Sequence, residues 1–304
     1  MALLVAALLC LGGGVAASTD FRFPAVFNFG DSNSDTGGRV AAGLESILPP
    51  YGSTYFGAPS GRFCDGRLIV DFLMEAMDMP LLNAYLDAVG DPSFQTGVNF
   101  AQAGCSITPA NPTSVSPFSF GLQIKQFFAF KDKVTKLLSK GDIYRKYIPQ
   151  ADYFSQGLYM FDIGQNDLAG ELYSRTEDQV AASIPTILLE FETGLKGMLL
   201  TIIHETILIY ACAFTGFENP TQACCGYGGP PLNYDSRVPC GQTVSLNGNP
   251  VTAKGCSDST EYVNWDGIHY TEAANFHIAS QILTGKYSDP PFIEKMPFVI
   301  KPRF

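Results

Sequence analysis

The 304-residue sequence predicts an α/β fold with parallel strands, on three observations. Three short apolar runs, 26–30, 97–105 and 156–163, each end in a turn of small and polar residues, as strands do where an open α/β sheet forms its ligand crevice. The stretches between them carry apolar residues at helical spacing. The interval from Asp31 to Asp65 is long enough for the crossover that parallel strands require. With 46% hydrophobic and 16% charged residues, the chain has the apolar content for one large domain with a full core.

Taken in order, Val26-Phe27-Asn28-Phe29-Gly30 reads as the first strand, followed at once by Asp31-Ser32-Asn33-Ser34-Asp35. Residues 39–48 are expected to form a short helix. A loop rich in Pro, Gly and Tyr then runs to Arg67, and a helix follows to Met77 with Leu68, Phe72, Leu73 and Ala76 on one face. Gly97-Val98-Asn99-Phe100-Ala101-Gln102-Ala103-Gly104-Cys105 supplies a second strand tip, and Gly157 to Asp167 a third, ending in Gly164-Gln165-Asn166-Asp167.

Between the second and third tips, residues 121–139 alternate apolar and basic side chains. The wide apolar face, including Phe127, Phe130 and Val134, assigns this helix to core packing rather than to a membrane surface. A long helix is predicted from Thr176 to about Leu200, with Glu177 and Asp178 favoured in its first turn by the helix dipole. Residues 199–212 fit neither strand nor helix period. A helix from Thr271 to about Thr284 closes the readable chain.

The net charge of −10 and pI near 4.7 argue against nucleic-acid or anionic-membrane partners, which need clustered Lys and Arg. Residues 1–17 read as a secretory signal, an apolar run closing on the small residues Val15-Ala16-Ala17; no other segment reaches the roughly 20 apolar residues of a transmembrane helix. One domain, 18–304, is expected after it. Of seven remaining cysteines, Cys224, Cys225, Cys240 and Cys256 lie in a turn-rich region suited to disulfides in an oxidising compartment, while Cys105 and Cys212 are expected to stay unpaired. Zinc is disfavoured by the absence of any C-x-x-C pair.

Catalytic chemistry is suggested by what stands at the turns. Ser32, at a strand-to-helix turn, is either a helix cap or a nucleophile. A serine nucleophile needs a base, and the chain holds only His204, His269 and His277. His277 falls inside the last helix and His204 in the ambiguous apolar run. His269 follows Asp266 by three residues across a glycine, which lets the carboxylate reach Nδ1 while Nε2 points outward; the alternative is that Asp266 caps a helix.

The blocks FNFGDSNSDTGG, GVNFAQAG, FDIGQND, ACCGYGG and VNWDGIHYTEAAN together resemble the plant branch of the GDSL esterase/lipase family, the SGNH hydrolases, over nearly the whole mature chain. The resemblance implies a three-layer α/β/α, flavodoxin-like fold and a carboxylic ester hydrolase working without metal or cofactor. It implies Ser32 as nucleophile, His269 as base and Asp266 as its partner. The oxyanion hole would comprise the backbone N–H groups of Ser32 and Gly104 with the Asn166 amide. The family block often has paired glycines; here Ala103 precedes Gly104, leaving the choice of backbone donor open. The implied substrates are acyl lipids, cutin-like polyesters or acetylated cell-wall sugars. Some relatives carry α-fucosidase labels that a serine triad does not support, since glycoside hydrolysis usually uses two facing carboxylates. Against the family pattern, a strand with a Gly-Pro-x-Gly-Cys motif, a helix and another strand are missing before Gly216-Phe217, so the sheet is expected to lack one or two strands. The second functional reading is therefore a catalytically impaired secreted relative that binds glycan or lipid.

Overall fold

The computed structural model describes residues 22–285, apart from 91, 112–113, 173–174, 200–206 and 209–215. The predicted signal, His204 and Cys212 lie outside the described residues, as does most of the ambiguous 199–212 stretch.

The first strand, β1 (Val26–Gly30), is wholly buried and is followed by a single helical turn, α1 (Gly38–Ala41), and then by α2 (Ile69–Ala76). The helix expected over 39–48 stops after that turn, where Gly43 takes a φ of 71° and a loop begins. Next come β2 (Gly97–Asn99), α3 (Phe120–Leu138), α4 (Tyr153–Gln156), β3 (Leu158–Asp162), α5 (Gln165–Leu172) and α6 (Glu177–Leu199), then β4 (Ile207–Leu208). β1 to β4 make one parallel sheet in the order β2-β1-β3-β4.

Alternation along the strands separates two cores. Val26, Leu158 and Met160 face α2 and the last helix, α7 (Glu272–Leu283). Phe27, Phe29 and Tyr159 face α3 and Met198 of α6, in a core where Phe29 stacks between Phe100 and Phe161 at 5.2 and 5.1 Å. This is the predicted three-layer α/β/α arrangement, with the basic helix packed as expected: Phe127, Phe130 and Val134 are buried.

A smaller lobe carries β5 (Asn219–Ala223), β6 (Thr243–Leu246), β7 (Asn249–Thr252) and β8 (Tyr262–Asn264), paired β5 with β8 and β6 with β7. Its core is Trp265 with Cys224, Cys225 and Cys240, closed by the disulfides Cys224–Cys256 and Cys225–Cys240. Cys105 is unpaired, as expected, and so is Cys64.

Candidate active site

The C-terminal ends of β1, β2 and β3 converge on a rim held by side chains bonding to backbone. At the last residue of β1, the Gln123 amide of α3 pairs both ways with Gly30, its Nε2 donating to Gly30 O at 2.7 Å and its Oε1 accepting from Gly30 N at 3.0 Å. The chain then turns through Asp31 and Ser32. Buried Asp35 accepts from the N–H groups of Gly37, Gly38 and Arg39 on its own side, and its Oδ2 reaches across to Ala103 N at 2.8 Å. Asp167, at the start of α5, takes Ile107 N at 2.7 Å, Thr108 N at 3.0 Å and the Thr108 hydroxyl at 2.7 Å. The turn through Gly104 is thus held on both sides by carboxylates.

Gly104 has a φ of 76°, and a side chain there would press on Val115 and the Arg39 guanidinium, so glycine is required by both conformation and space. Ala103 N is committed to Asp35. Among the described residues neither Ser32 N nor Gly104 N donates a hydrogen bond, so both are free to serve an incoming anion. The Asn166 amide sits over the same turn, donating to Cys105 O at 2.9 Å and more loosely to Asp31 Oδ2 at 3.3 Å. Burial first, and then the charge of Asp162, raise Asp31 well above the ordinary carboxylate range; burial raises Asp35 despite its four N–H partners.

The base side is built from the small lobe. Adjacent Cys224 and Cys225 donate their backbone N–H groups to Asn264 O at 2.9 Å and Trp265 O at 2.6 Å, and Trp265 N donates to His269 O at 2.8 Å. This closes a tight loop around Gly267, whose φ of 96° and contact with the Tyr234 ring leave no room for a side chain. Within the loop Asp266 Oδ1 accepts from Ile268 N at 3.0 Å and His269 N at 2.9 Å, and Oδ2 faces His269 Nδ1 at 2.7 Å. Burial alone would raise the Asp266 pKa; the His269 charge and hydrogen bond, the Tyr51 hydroxyl and the His269 N–H outweigh it and hold it at about 2.

Both cap alternatives fail. α1 begins with Gly37 at its cap and no side-chain cap bond, and Ser32 Oγ makes no hydrogen bond among the described residues. α7 is capped by Thr271, which accepts from Ala274 N at 3.1 Å, so Asp266 is not a cap. Ser32 and His269 are each buried to within a tenth of full burial. One loop touches the neighbourhood of each: Gly61 packs on the backbone of Gly37 and Thr36, and Phe63 lies 5.3 Å from the His269 ring. No direct hydrogen bond joins Ser32 Oγ to His269 among the described residues; catalytic bonds of this kind are often long without substrate. The buried thiols are poor nucleophiles, burial raising Cys64 well above its usual value and Cys105 to about 12. Among the described residues no cluster of three His, Cys, Asp or Glu could hold a metal ion.

Residues 26–215 match the family described as GDSL-like Lipase/Acylhydrolase. The chain belongs to this family. A GDSL esterase/lipase of Arabidopsis thaliana is 46% identical, with 95% of each chain covered. An esterase of Hevea brasiliensis is 34% identical over 93% of this chain and 91% of its own, and an Arabidopsis protein named alpha-L-fucosidase 3 is 34% identical over 87% and 91%. The first of these alignments runs over 389 positions against 304 residues here, so that GDSL relative carries residues with no counterpart in this chain. Sequence reasoning singled out Ser32, Gly104, Asn166, Asp266 and His269 as candidates. It missed Asp35, Asp167, Gln123 and Tyr51, whose partners lie mostly far away in the chain. Asp35, inside the GDSNSD block, and Asp167, at the end of the FDIGQND block, carried a local signal.

Proposed function

We propose that this GDSL-family ester hydrolase cleaves carboxylic esters through an acyl-enzyme on Ser32. Ser32 Oγ attacks the acyl carbon while His269 Nε2 takes its proton, and Asp266 stabilises the imidazolium through Nδ1. The tetrahedral oxyanion accepts from Ser32 N, Gly104 N and the Asn166 amide, once that amide turns its second hydrogen from Asp31. His269 returns the proton to the departing alkoxide. Water then repeats the sequence on the acyl-enzyme, releasing acid and restoring Ser32. The observation that carries the reading is the Asp266 carboxylate, bonded at 2.7 Å to His269 Nδ1.

Residues 1–17 serve as a secretory signal in this reading, and 18–304 form one hydrolase domain. Two disulfides in the small lobe support passage through an oxidising compartment, and no described helix is long and apolar enough to cross a membrane. The substrate class is an acyl lipid, a cutin-like polyester or an acetylated wall sugar. The name of the fucosidase-labelled relative does not alter the chemistry proposed here, since Asp35 and Asp167 are committed to backbone N–H groups and are not a facing pair. The residues that a relative carries and this chain lacks favour a second reading, an impaired protein that only binds glycan or lipid.

Hydrolysis of p-nitrophenyl acetate and butyrate decides between them. Ser32→Ala should lower kcat by at least about a thousandfold. Equal rates for the purified wild type and this variant would leave the binding-only reading.

A further inference from the structure

Tyr51 lies 215 residues from Asp266 in sequence, yet its hydroxyl donates to Asp266 Oδ2 at 2.7 Å. That is the same oxygen that faces His269 Nδ1. Oδ1 is fully used by the N–H groups of Ile268 and His269. Among the described residues each carboxylate oxygen therefore has two partners, and on Oδ2 the partner that is not part of the base itself is Tyr51. Resting on the Ser32–His269–Asp266 reading, we propose that Tyr51 is a positioning residue of the reaction: it fixes the plane of the Asp266 carboxylate and, by drawing charge from Oδ2, limits how tightly that carboxylate holds the protonated base.

The ring is placed for this task. It sits edge-on to Trp265 at 5.8 Å and to Phe63 at 6.5 Å, and Phe63 in turn lies against His269. Its backbone is held by a bond to Leu48 O at 3.2 Å, and neighbouring Gly52 N donates to Cys64 O at 3.0 Å. The ionisable groups that act most on the phenol are Asp266, Glu45 and Cys64; Asp266 is paired with His269 and Glu45 with Arg39. Burial, then the charge of Asp266, keep its proton in place far above the ordinary range of tyrosine. The hydroxyl therefore keeps its proton, and its role as donor, past the pH at which a free tyrosine ionises.

Tyr51→Phe removes the donor and keeps the ring packing. An unshared Oδ2 holds the imidazolium more strongly, so the base is disarmed at higher pH. On p-nitrophenyl acetate the variant should lower kcat roughly five- to twentyfold with KM within about twofold. The acid limb of its kcat/KM profile should move up by roughly half to one pH unit. Site-specific 2,3-difluorotyrosine at position 51, a stronger donor of nearly the same shape, should move that limb down. Because it preserves the packing, it decides the matter even if Tyr51→Phe does not fold. In an Asp266→Asn background, Tyr51→Phe should change residual kcat by less than about twofold, whereas a purely structural ring would matter equally in both backgrounds.

An acid limb unmoved by either replacement, or an equal loss in both backgrounds, overturns the proposal. Ser32→Ala is run beside them. If it is as active as wild type, the triad reading fails first. If it is inactive while the Tyr51 variants match wild type, only the role of Tyr51 falls.

Discussion

The two halves of the site are built by different means. The proposed nucleophile half hangs from the central sheet, where β1, β2 and β3 end, and is held by noncovalent bonds from Gln123, Asp35 and Asp167 to backbone. The proposed base half hangs from a lobe of two-stranded sheets whose core is Trp265 with Cys224, Cys225 and Cys240. Two-stranded sheets are marginal alone in water. The large aromatic core stabilises one half, and covalent ties substitute for it in the other. Stress that breaks disulfides should therefore disable the base while leaving the serine turn in place.

The largest expected effect tests this directly. Converting Cys225 and Cys240 to serine opens a loop with a sequence separation of 15 and should destabilise the lobe by about 3 kcal/mol. Because Cys225 N holds Trp265 O, the Asp266–His269 loop should shift and kcat fall on the order of a hundredfold. Hydrogen exchange should show the amides of Trp265 and His269 losing protection while those of Phe27 and Phe29 keep theirs. Equal loss in both places would mean the halves fold as one unit.

A second variant breaks the other half. Asp35→Ala leaves four N–H groups without their acceptor, Ala103 N among them, and should destabilise by about 2 to 3 kcal/mol. Its kcat should fall about tenfold or more as the Gly104 donor drifts. This loss should be the same in oxidised and reduced protein, in contrast to the cysteine variant.

What was legible in the sequence follows the same division. The sheet could be read because buried strands alternate between two apolar faces, as Phe27 and Phe29 do against Val26, and because each strand ends in small polar residues. Ser32, Asp266 and His269 stood out as candidates because few residue types can act as nucleophile and base, and Asp266 and His269 are near neighbours. The bonds of Tyr51 and Gln123 could not be read, because a side chain bonding to a group 215 or 93 residues away leaves no period or motif. The partner of Asp167, 59 residues away, was as hidden, although Asp167 itself stands in the FDIGQND block. The short α1 was overestimated because its apolar spacing continues past Gly43, where the backbone does not. Disulfide pairing was likewise hidden, since four cysteines allow three connectivities.

Acidity should also separate the halves, with opposite signs. Asp266 has its native pKa lowered to about 2, below its unfolded value of 3.8, so its contribution is present above pH 4 and is lost as pH falls toward 2. That contribution is about 2 kcal/mol. Asp31 and Asp35 are raised, so their contribution is present in full below about pH 4 and declines as pH rises through their native values. Urea unfolding across pH 2 to 8 should show Asp266→Asn flattening the acid side alone and Asp35→Asn flattening the side above pH 4. A common response of both variants would erase the distinction.

The smallest effect tests whether the nucleophile half is aligned from behind. Gln123 lies on α3, away from the reacting atoms, and its amide acts as an extra strand edge for Gly30. Gln123→Leu keeps the side-chain bulk but leaves Gly30 N without its acceptor and Gly30 O with the Gln102 N–H alone, which should destabilise by about 1 to 2 kcal/mol. The same amide donates to Cys105 Sγ at 3.0 Å, so its loss also frees the neighbour of Gly104. A severalfold fall in kcat with unchanged KM, greater than a stability-matched core variant such as Val134→Ala produces, would show that this bond sets the geometry of the serine turn. An equal fall in the two would show that it contributes to folding alone.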